Sequence, residues 1–538
     1  MRDYQKVQNE HRYAYPSAFS LLYARYLDSP DKDFIISLSS DSEERSTYSS
    51  FMNKVFAVRE YLSAKNIRKG EVINIISQNC AEFLIMYFAA LSLGIIVCPI
   101  NYNLAPREIL YIIKDSKGRL LLVESDYLGK YEAIRAELPS DYRVTVLSKN
   151  TTVHHYDHFY SIFENDRQRK EPLPDVECCA LDDRAVIIYT SGTSGNPKGA
   201  ILTHANLLAD AQAISDWFHF GPNTRTLCIL PLFHNNGQVV TLLAPLWAGG
   251  STVMVKGNIS LKLFWDLIEK YDVTWTSVIP TILSVLLAYR IERKDRTLKG
   301  IICGGALLPN QVQTEFEKKY NVPIFEGYGL TETTSFSSFN PYEINLRKIG
   351  SIGMPLPINE MAIFNDQGLQ TPDGEIGEIC IRGYNVFLEY CNMPERNALA
   401  FRNGWFHSGD YGHKDAEGFY YIKGRKDDMI IKGGENIYPR EIENVVYRHH
   451  KVKDCAVVGV EHKLWGEEIV LFIEAKENEK LNREEIVQLL RGEIADYKMP
   501  AEIYFIGETK DLKEMPKGPT NKILRKDLKT YYQNYLRR

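Results

Sequence analysis

The sequence predicts an α/β protein: a large N-terminal domain of layered α/β subdomains, a small antiparallel β subdomain, and a small mobile α+β C-terminal domain. Three observations carry this. The 538 residues exceed what one hydrophobic core organises. Short β-branched runs alternate with helical patterns up to about residue 340, as in parallel sheets with crossover helices. Beyond that point strand-like pieces follow one another across Gly turns, which fits antiparallel pairing.

In chain order, 72–76 reads as a strand and 80–93 as a buried helix, stopped by Gly94 before a strand at 95–98. The run from Phe83 to Cys98 is sixteen residues ended by Pro99, short for a membrane span, so it reads as core. A helix opens at Pro106-Arg107-Glu108 and leads to a strand at 120–123. Strands at 186–189, 226–230, 251–255, 275–279 and 300–303 continue the series, and 361–364 and 378–381 belong to the antiparallel part. The expected division is 1–424, a hinge at 425–428, and a C-terminal domain at 429–538. The latter reads as helix 439–449, strands 454–460 and 468–475, helix 482–494, strand 502–506 and helix 523–535.

Composition bounds the function. The formal charge of −5 gives no basic field for nucleic acid, so a phosphate-bearing ligand must be gripped by local design. Nine cysteines include no C-x-x-C pair, and mostly lie in apolar runs. Buried free thiols suit a reducing cytosol. The polar start Met1-Arg2-Asp3-Tyr4-Gln5 is neither signal nor transit peptide, so the expected location is the cytoplasm, without a membrane span.

The sharpest motif runs from Tyr189 to Gly199, reading Y-T-S-G-T-S-G-N-P-K-G after a buried strand and before a helix near Asn206. Gly192, Gly195 and Gly199 let backbone wrap a ligand. Thr190, Ser191, Thr193, Ser194 and the backbone amides offer donors to phosphate, and Lys198 adds a mobile charge. It is not a Walker A loop, because Gly199 follows Lys198.

This segment resembles the first signature of the adenylate-forming enzymes, which comprise acyl- and aryl-CoA synthetases, nonribosomal adenylation domains and luciferases. Further signatures follow in order along nearly the whole chain. They are Pro231-Leu232-Phe233-His234, Gly304-Gly305-Ala306, Tyr328-Gly329-Leu330-Thr331-Glu332, His407-Ser408-Gly409-Asp410, Gly424-Arg425-Lys426-Asp427, Lys432-Gly433-Gly434, and Pro519-Thr520-Asn521-Lys522.

The resemblance, closest to acyl-CoA synthetases, implies ATP, Mg²⁺ and CoA as cofactors and a small-molecule carboxylic acid, fatty or aryl, as substrate. It implies that Lys522, Thr331, Glu332 and His234 are catalytic, with Glu332 holding the metal. It puts the nucleotide against Thr190, Ser191, Gly192, Thr193, Ser194, Gly195, Lys198, Gly304, Gly305, Ala306, Tyr328, Gly329, Asp410 and Arg425. The acyl pocket would be His234, Asn235, Asn236, Gly304 and Gly329, the hinge Asp427, and the CoA tunnel Lys432, Gly433 and Gly434. Asn521 stands where the family usually has Gly.

Asn235, Asn236 and the hydroxyl-rich 333–338 hint at an acid with a polar substituent, or at solvated walls. Loading of a separate acyl carrier protein, a luciferase-like oxygenase, and a non-catalytic adenylate-binding sensor stay open as alternatives, as do monomer and homodimer.

Overall fold

The computed structural model describes residues 15–40, 42–148, 155–164, 179–190, 197–257, 261–289, 291–294, 296–306, 308–509, 511–518 and 523–537. Among them are two large, mainly parallel sheets and two smaller ones.

The first sheet runs, in spatial order, Met354–Pro355, Ser338–Phe339, Ile324–Tyr328, Gly300–Cys303, Trp275–Val278, Arg225–Cys228, Ser251–Val255, Asp33–Leu38 and Glu43–Thr47. Its six central strands are parallel, and Asp33–Leu38 pairs with Ser251–Val255. The second runs Glu389–Tyr390, Lys198–Thr203, Arg184–Thr190, Ile96–Pro99, Val72–Ile76, Gly118–Glu124, Arg143–Leu147 and Asp157–His158. Val72–Ile76, Ser251–Val255 and Ile324–Tyr328 are buried at every residue, as strands covered on both faces are, and none shows an alternating apolar and polar pattern facing water.

The helix Ala81–Ser92 is buried at every residue except Glu82. Gly94 ends it in the left-handed region (φ +67°), as expected, and the chain turns directly into Ile96–Pro99. One hydrophobic cluster takes in this helix, Ile73, Val97 and Ile188 of the second sheet, and Phe34, Met254, Trp275 and Phe325 of the first. The two sheets therefore share a core. No helix among the described residues is long and apolar enough to cross a membrane.

The third sheet is antiparallel: Asn359–Phe364, Gly377–Gly383, Trp405–Lys414 and Phe401–Arg402, with Tyr420–Arg425 beside Trp405–Lys414. After Lys426–Asp428 the chain builds a fourth sheet from Glu435–Ile437, Ile430–Lys432, Gly466–Ala475 and Val452–His462, with Glu502–Phe505 parallel to Gly466–Ala475. This sheet has its own cores, one under Pro439–Val446 and Arg483–Leu490, the other under Arg525–Tyr531.

Four local expectations need correction. The glycine-rich segment does not lead straight into a helix. The strands on either side of it pair with each other, Arg184–Thr190 antiparallel with Lys198–Thr203, and the helix His204–Trp217 follows. Thr203 caps that helix, accepting from the Asn206 amide at 3.2 Å while Asn206 Oδ1 accepts from Thr203 N–H at 2.8 Å. The strand expected at 226–230 ends at Cys228, because the Asn79 side chain then occupies the loop's polar groups. Asn79 donates to Leu230 O at 3.0 Å and accepts from Leu232 N–H at 2.8 Å. A π-helical turn, Asn236–Leu243, follows His234, where no helix was expected. Two of the C-terminal helices are shorter than read, at Pro439–Val446 and Arg483–Leu490, while the last runs over Arg525–Tyr531 and continues as a π-helix over Tyr532–Leu536.

Asp210 on the His204–Trp217 helix is fully buried and anchors the 335–336 backbone. Ser335 Oγ donates to its Oδ2 at 2.6 Å and Phe336 N–H at 3.3 Å, while Oδ1 has no partner. Burial pushes the carboxyl up to about 7, against the hydrogen bonds. The folded value lies above the unfolded value of about 3.9, so the folded state holds the extra proton. Its stabilisation is complete below about pH 4 and lost as pH rises towards 7, by up to about 1.4 kcal/mol per pH unit. Asp210→Asn cannot ionise. Wild-type melting temperature should therefore fall relative to the variant between pH 4 and 7, and a constant difference would assign Asp210 a single protonation state.

Candidate active site

The strands Arg225–Cys228, Gly300–Cys303 and Ile324–Tyr328 end on one side of the first sheet, where open α/β sheets bind ligands. Their loops, with the hairpin ends Thr190 and Lys198, line a cavity of ≈ 730 Å³. His234, Asn235, Asn236, Gly305, Gly329, Thr331, Glu332, Arg425 and Asp427 all face it. A smaller cavity of ≈ 200 Å³ adjoins it, sharing Gly305, Gly329 and Arg425 and adding Ala306, Tyr328 and Asp410.

Asp410 and Arg425 are cross-strand partners in the third sheet, which aims both at the small cavity. Tyr328 OH donates to Asp410 Oδ2 at 2.6 Å, and Arg425 Nε lies 3.6 Å from Oδ1. Burial and then Asp410 raise the Tyr328 phenol, so it remains a donor at neutral pH. The preceding turn is braced from behind by Glu378, which accepts Gly409 N–H at 3.0 Å and lies 2.9 Å from His407 Nδ1. Glu378, Cys380 and His407 cluster closely enough for a metal. Arg402 Nη2 stands 2.8 Å from the same His407 nitrogen, and a fixed cation there disfavours one.

Glu332 accepts from Tyr390 OH at 2.7 Å. Tyr390 is delivered by the strand Glu389–Tyr390, paired to Lys198–Thr203, and the Lys198 ammonium lies 5.5 Å from the Tyr390 ring centre. Burial, then Arg396, hold Lys198 below the usual lysine range, and Glu332 opposes them. Lys198 and Glu332 thus flank one tyrosine.

His234 packs against Phe233, with ring centres 4.6 Å apart. Burial lowers its imidazole to about 4, which keeps it neutral at pH 7, and Nε2 has no partner. Asn235 donates to Thr331 O at 3.4 Å, tying this loop to the Tyr328–Glu332 segment, and its Oδ1 is unpartnered. The hydroxyls of 333–338 are largely taken up by the scaffold: Thr333 to Leu330 O, Thr334 to Asn385 O, Ser335 to Asp210 and Ser338 to Ile352 O.

Some expected residues stand elsewhere. Gly304 is buried and is not a lining residue of either cavity; a Cβ there would lie 2.5 Å from the Phe336 ring, so its role is to admit that ring. Lys432, Gly433 and Gly434 form a hairpin turn away from both cavities. Gly433 N–H donates to Trp465 O at 2.8 Å, and Lys432 pairs with Glu468 at 2.6 Å. Ser191, Gly192, Thr193, Ser194, Gly195 and Lys522 lie outside the described residues.

Residues 24–391 match the AMP-binding enzyme family, and 441–518 the AMP-binding enzyme C-terminal domain. The chain is an AMP-binding enzyme. It is 32% identical to a sulfoacetate–CoA ligase of Cupriavidus necator, over 94% of this chain and 96% of that one. An anthranilate CoA ligase solved with anthranoyl-AMP superposes with a TM-score of 0.87 at 26% identity, covering 96% of this chain and 97% of that one. The o-succinylbenzoate CoA synthetase of Bacillus subtilis, solved with its acyl-adenylate, gives 0.82 at 30% identity, covering 96% and 98%.

In this AMP-binding enzyme the structure adds residues that sequence reasoning missed. Glu326 and Arg440 meet at the small cavity, one from each side of the 426–428 turn. Burial pushes Glu326 up to about 7 with Arg440 opposing, and lowers Arg440 with Glu326 opposing. A glutamate in the otherwise apolar strand Ile324–Tyr328 was the available signal. Arg525 closes the same cavity, bonded to Glu443 at 2.6 and 2.8 Å and lying 3.5 Å from Asp428. Tyr390 carried no local signal.

Proposed function

We propose that this AMP-binding enzyme is an AMP-forming acyl-CoA synthetase. A carboxylic acid attacks the α-phosphate of ATP, pyrophosphate leaves, and CoA thiol then displaces AMP to give acyl-CoA. The supporting observation is that Lys198, His234, Glu332 and Arg425, from four distant segments, meet on one cavity. Relatives named as sulfoacetate–, indoleacetate– and long-chain-fatty-acid–CoA ligases support the same chemistry.

The first step brings two anions together, so its main needs are charge neutralisation and alignment. No general base is required, because the acid is already ionised at neutral pH. Asp410 is placed to accept ribose hydroxyls, with Arg425 neutralising it, and Tyr328 supplies an aromatic face for adenine. Lys198 attracts the phosphates. Glu332 fits Mg²⁺, which takes one or two protein carboxylates together with phosphate oxygens; bound there, it would neutralise the leaving pyrophosphate. His234 stays neutral beside the acid and does not compete for its charge.

Lys522 bridges carboxylate and α-phosphate in this reading. The small domain then turns about Asp427, which lies in the Lys426–Asp428 turn at the cavity edge, and presents the Lys432–Gly434 hairpin for thioester formation. The eight cysteines among the described residues are free and buried or half-buried, which suits a reducing cytoplasm.

Acid-dependent release of pyrophosphate, with AMP and thioester formed only when CoA is present, tests the reaction. Release of ADP, or nucleotide binding without turnover of any acid, would overturn it. Glu332→Gln should raise the Mg²⁺ needed for half-maximal adenylation and lower the rate by at least about tenfold, with melting unchanged. An unaltered Mg²⁺ titration would remove Glu332 from the metal site.

A further inference from the structure

The wall of the large cavity around His234 carries polar atoms that nothing in the protein satisfies. They are His234 Nε2, Asn235 Oδ1 and Asn236 Oδ1. Asn235 is 5% exposed, and its amide orientation is set by the bond to Thr331 O, which leaves the oxygen free to face the cavity. Native buried polar atoms are almost always paired, so three unpaired ones at one wall mark a place where a ligand completes them.

Their chemistry restricts the ligand. Two of the three are carboxamide oxygens, which only accept, so the ligand must donate. Among residues 229–237 the only ionisable side chain is His234, and it is held neutral. An ammonium would find no counter-charge on this wall. A second carboxylate or a sulfonate would face two oxygens and no cation. The cavity's cations are grouped elsewhere, with Lys198 and Arg396 by Tyr390, Arg402 at Glu378, Arg425 at Asp410 and Lys426 at Asp366. Room is also limited, because cavities of ≈ 730 and ≈ 200 Å³ must hold nucleotide and acid together, against about 300–1,000 Å³ for a single drug-sized ligand.

We infer that the acid is a short one carrying a neutral hydroxyl, whose single proton goes to the carboxamide oxygen of Asn235 or Asn236 beside His234. This rests on the reading of the chain as an acyl-CoA synthetase. It separates the enzyme from ligases of long-chain fatty acids and of dianionic acids.

The test measures kcat/KM for pyrophosphate release with matched pairs, 3-hydroxybutyrate against butyrate and 3-hydroxybenzoate against benzoate, beside dodecanoate, malonate and sulfoacetate. The better hydroxylated acid should exceed its deoxy partner by at least about tenfold and also exceed the other three. At least one of Asn235→Leu and Asn236→Leu should shrink that ratio several-fold, and an unchanged ratio in both overturns the hydroxyl. Reading the ratio within one preparation cancels any loss of folded protein. A deoxy acid matching its partner, or dodecanoate, malonate or sulfoacetate as best substrate, overturns the hydroxyl and leaves the synthetase reading standing. No release with any of the acids overturns both.

Discussion

Lys522→Ala should lower acyl-adenylate formation by on the order of 10²–10³, while transfer of preformed acyl-adenylate to CoA stays within a few-fold of wild type. The residue lies outside the described residues, and its role rests on its place in the Pro519–Lys522 signature. The residues that follow it support the assignment. Ile523 packs against the core beneath Arg525–Tyr531, and Arg525 is held by Glu443 and Asp428 at the small cavity. The chain that directly follows the lysine therefore reaches the small cavity, and the Gly433–Gly434 turn does not. A charge that joins carboxylate to phosphate is needed only while both are present. Rapid-quench measurement of each half-reaction separates the outcomes, and equal losses in both would detach Lys522 from adenylation.

Gly329→Ala should be as severe by a different route. A Cβ at this position would lie 1.7 Å from Ser335 O and 2.6 Å from Phe336 Cα, both backbone atoms that no rotamer change can move. Gly329 N–Cα sits between Tyr328 and the Thr331–Thr333 turn, so relief of the clash must displace Tyr328, Glu332 or the 335–336 backbone that Asp210 anchors. Overpacking of this kind costs about 1–3 kcal/mol, and more where backbone must shift. Adenylation should fall at least about 100-fold, with a lower melting temperature. Gly70→Ala is a control for φ strain alone: it has φ +83° and open space around the added atom. If Gly329→Ala turned over normally, the close approach of these two segments would be wrong.

The parallel strands and the loops at their ends were legible because both signals are local. A buried strand such as Val72–Ile76 announces itself by a run of apolar residues, and a ligand loop by Gly and hydroxyl clusters at fixed offsets. What stayed hidden depended on pairing across long separations. Lys198 read as part of a loop because its partner strand lies on the far side of the glycines. Tyr390 is 58 positions from the Glu332 it bonds. Glu326 stands out in its own strand, but that Arg440, 114 positions on, meets it at one cavity carries no local signal. The early end of the strand at Cys228 depended on one distant amide, Asn79.

The pairing of Ile35 with Thr252 in the first sheet has a consequence for synthesis. Phe34, Ile35 and Ile36 are fully buried in the finished protein, yet their parallel neighbour is made about 200 residues later. At about 5–20 residues per second that is on the order of 10–40 s on the ribosome. Through that interval Asp33–Leu38 can pair with Glu43–Thr47 on one side only, and its other edge stays open. The nascent chain must keep that edge from other strands until Ser251–Val255 emerges.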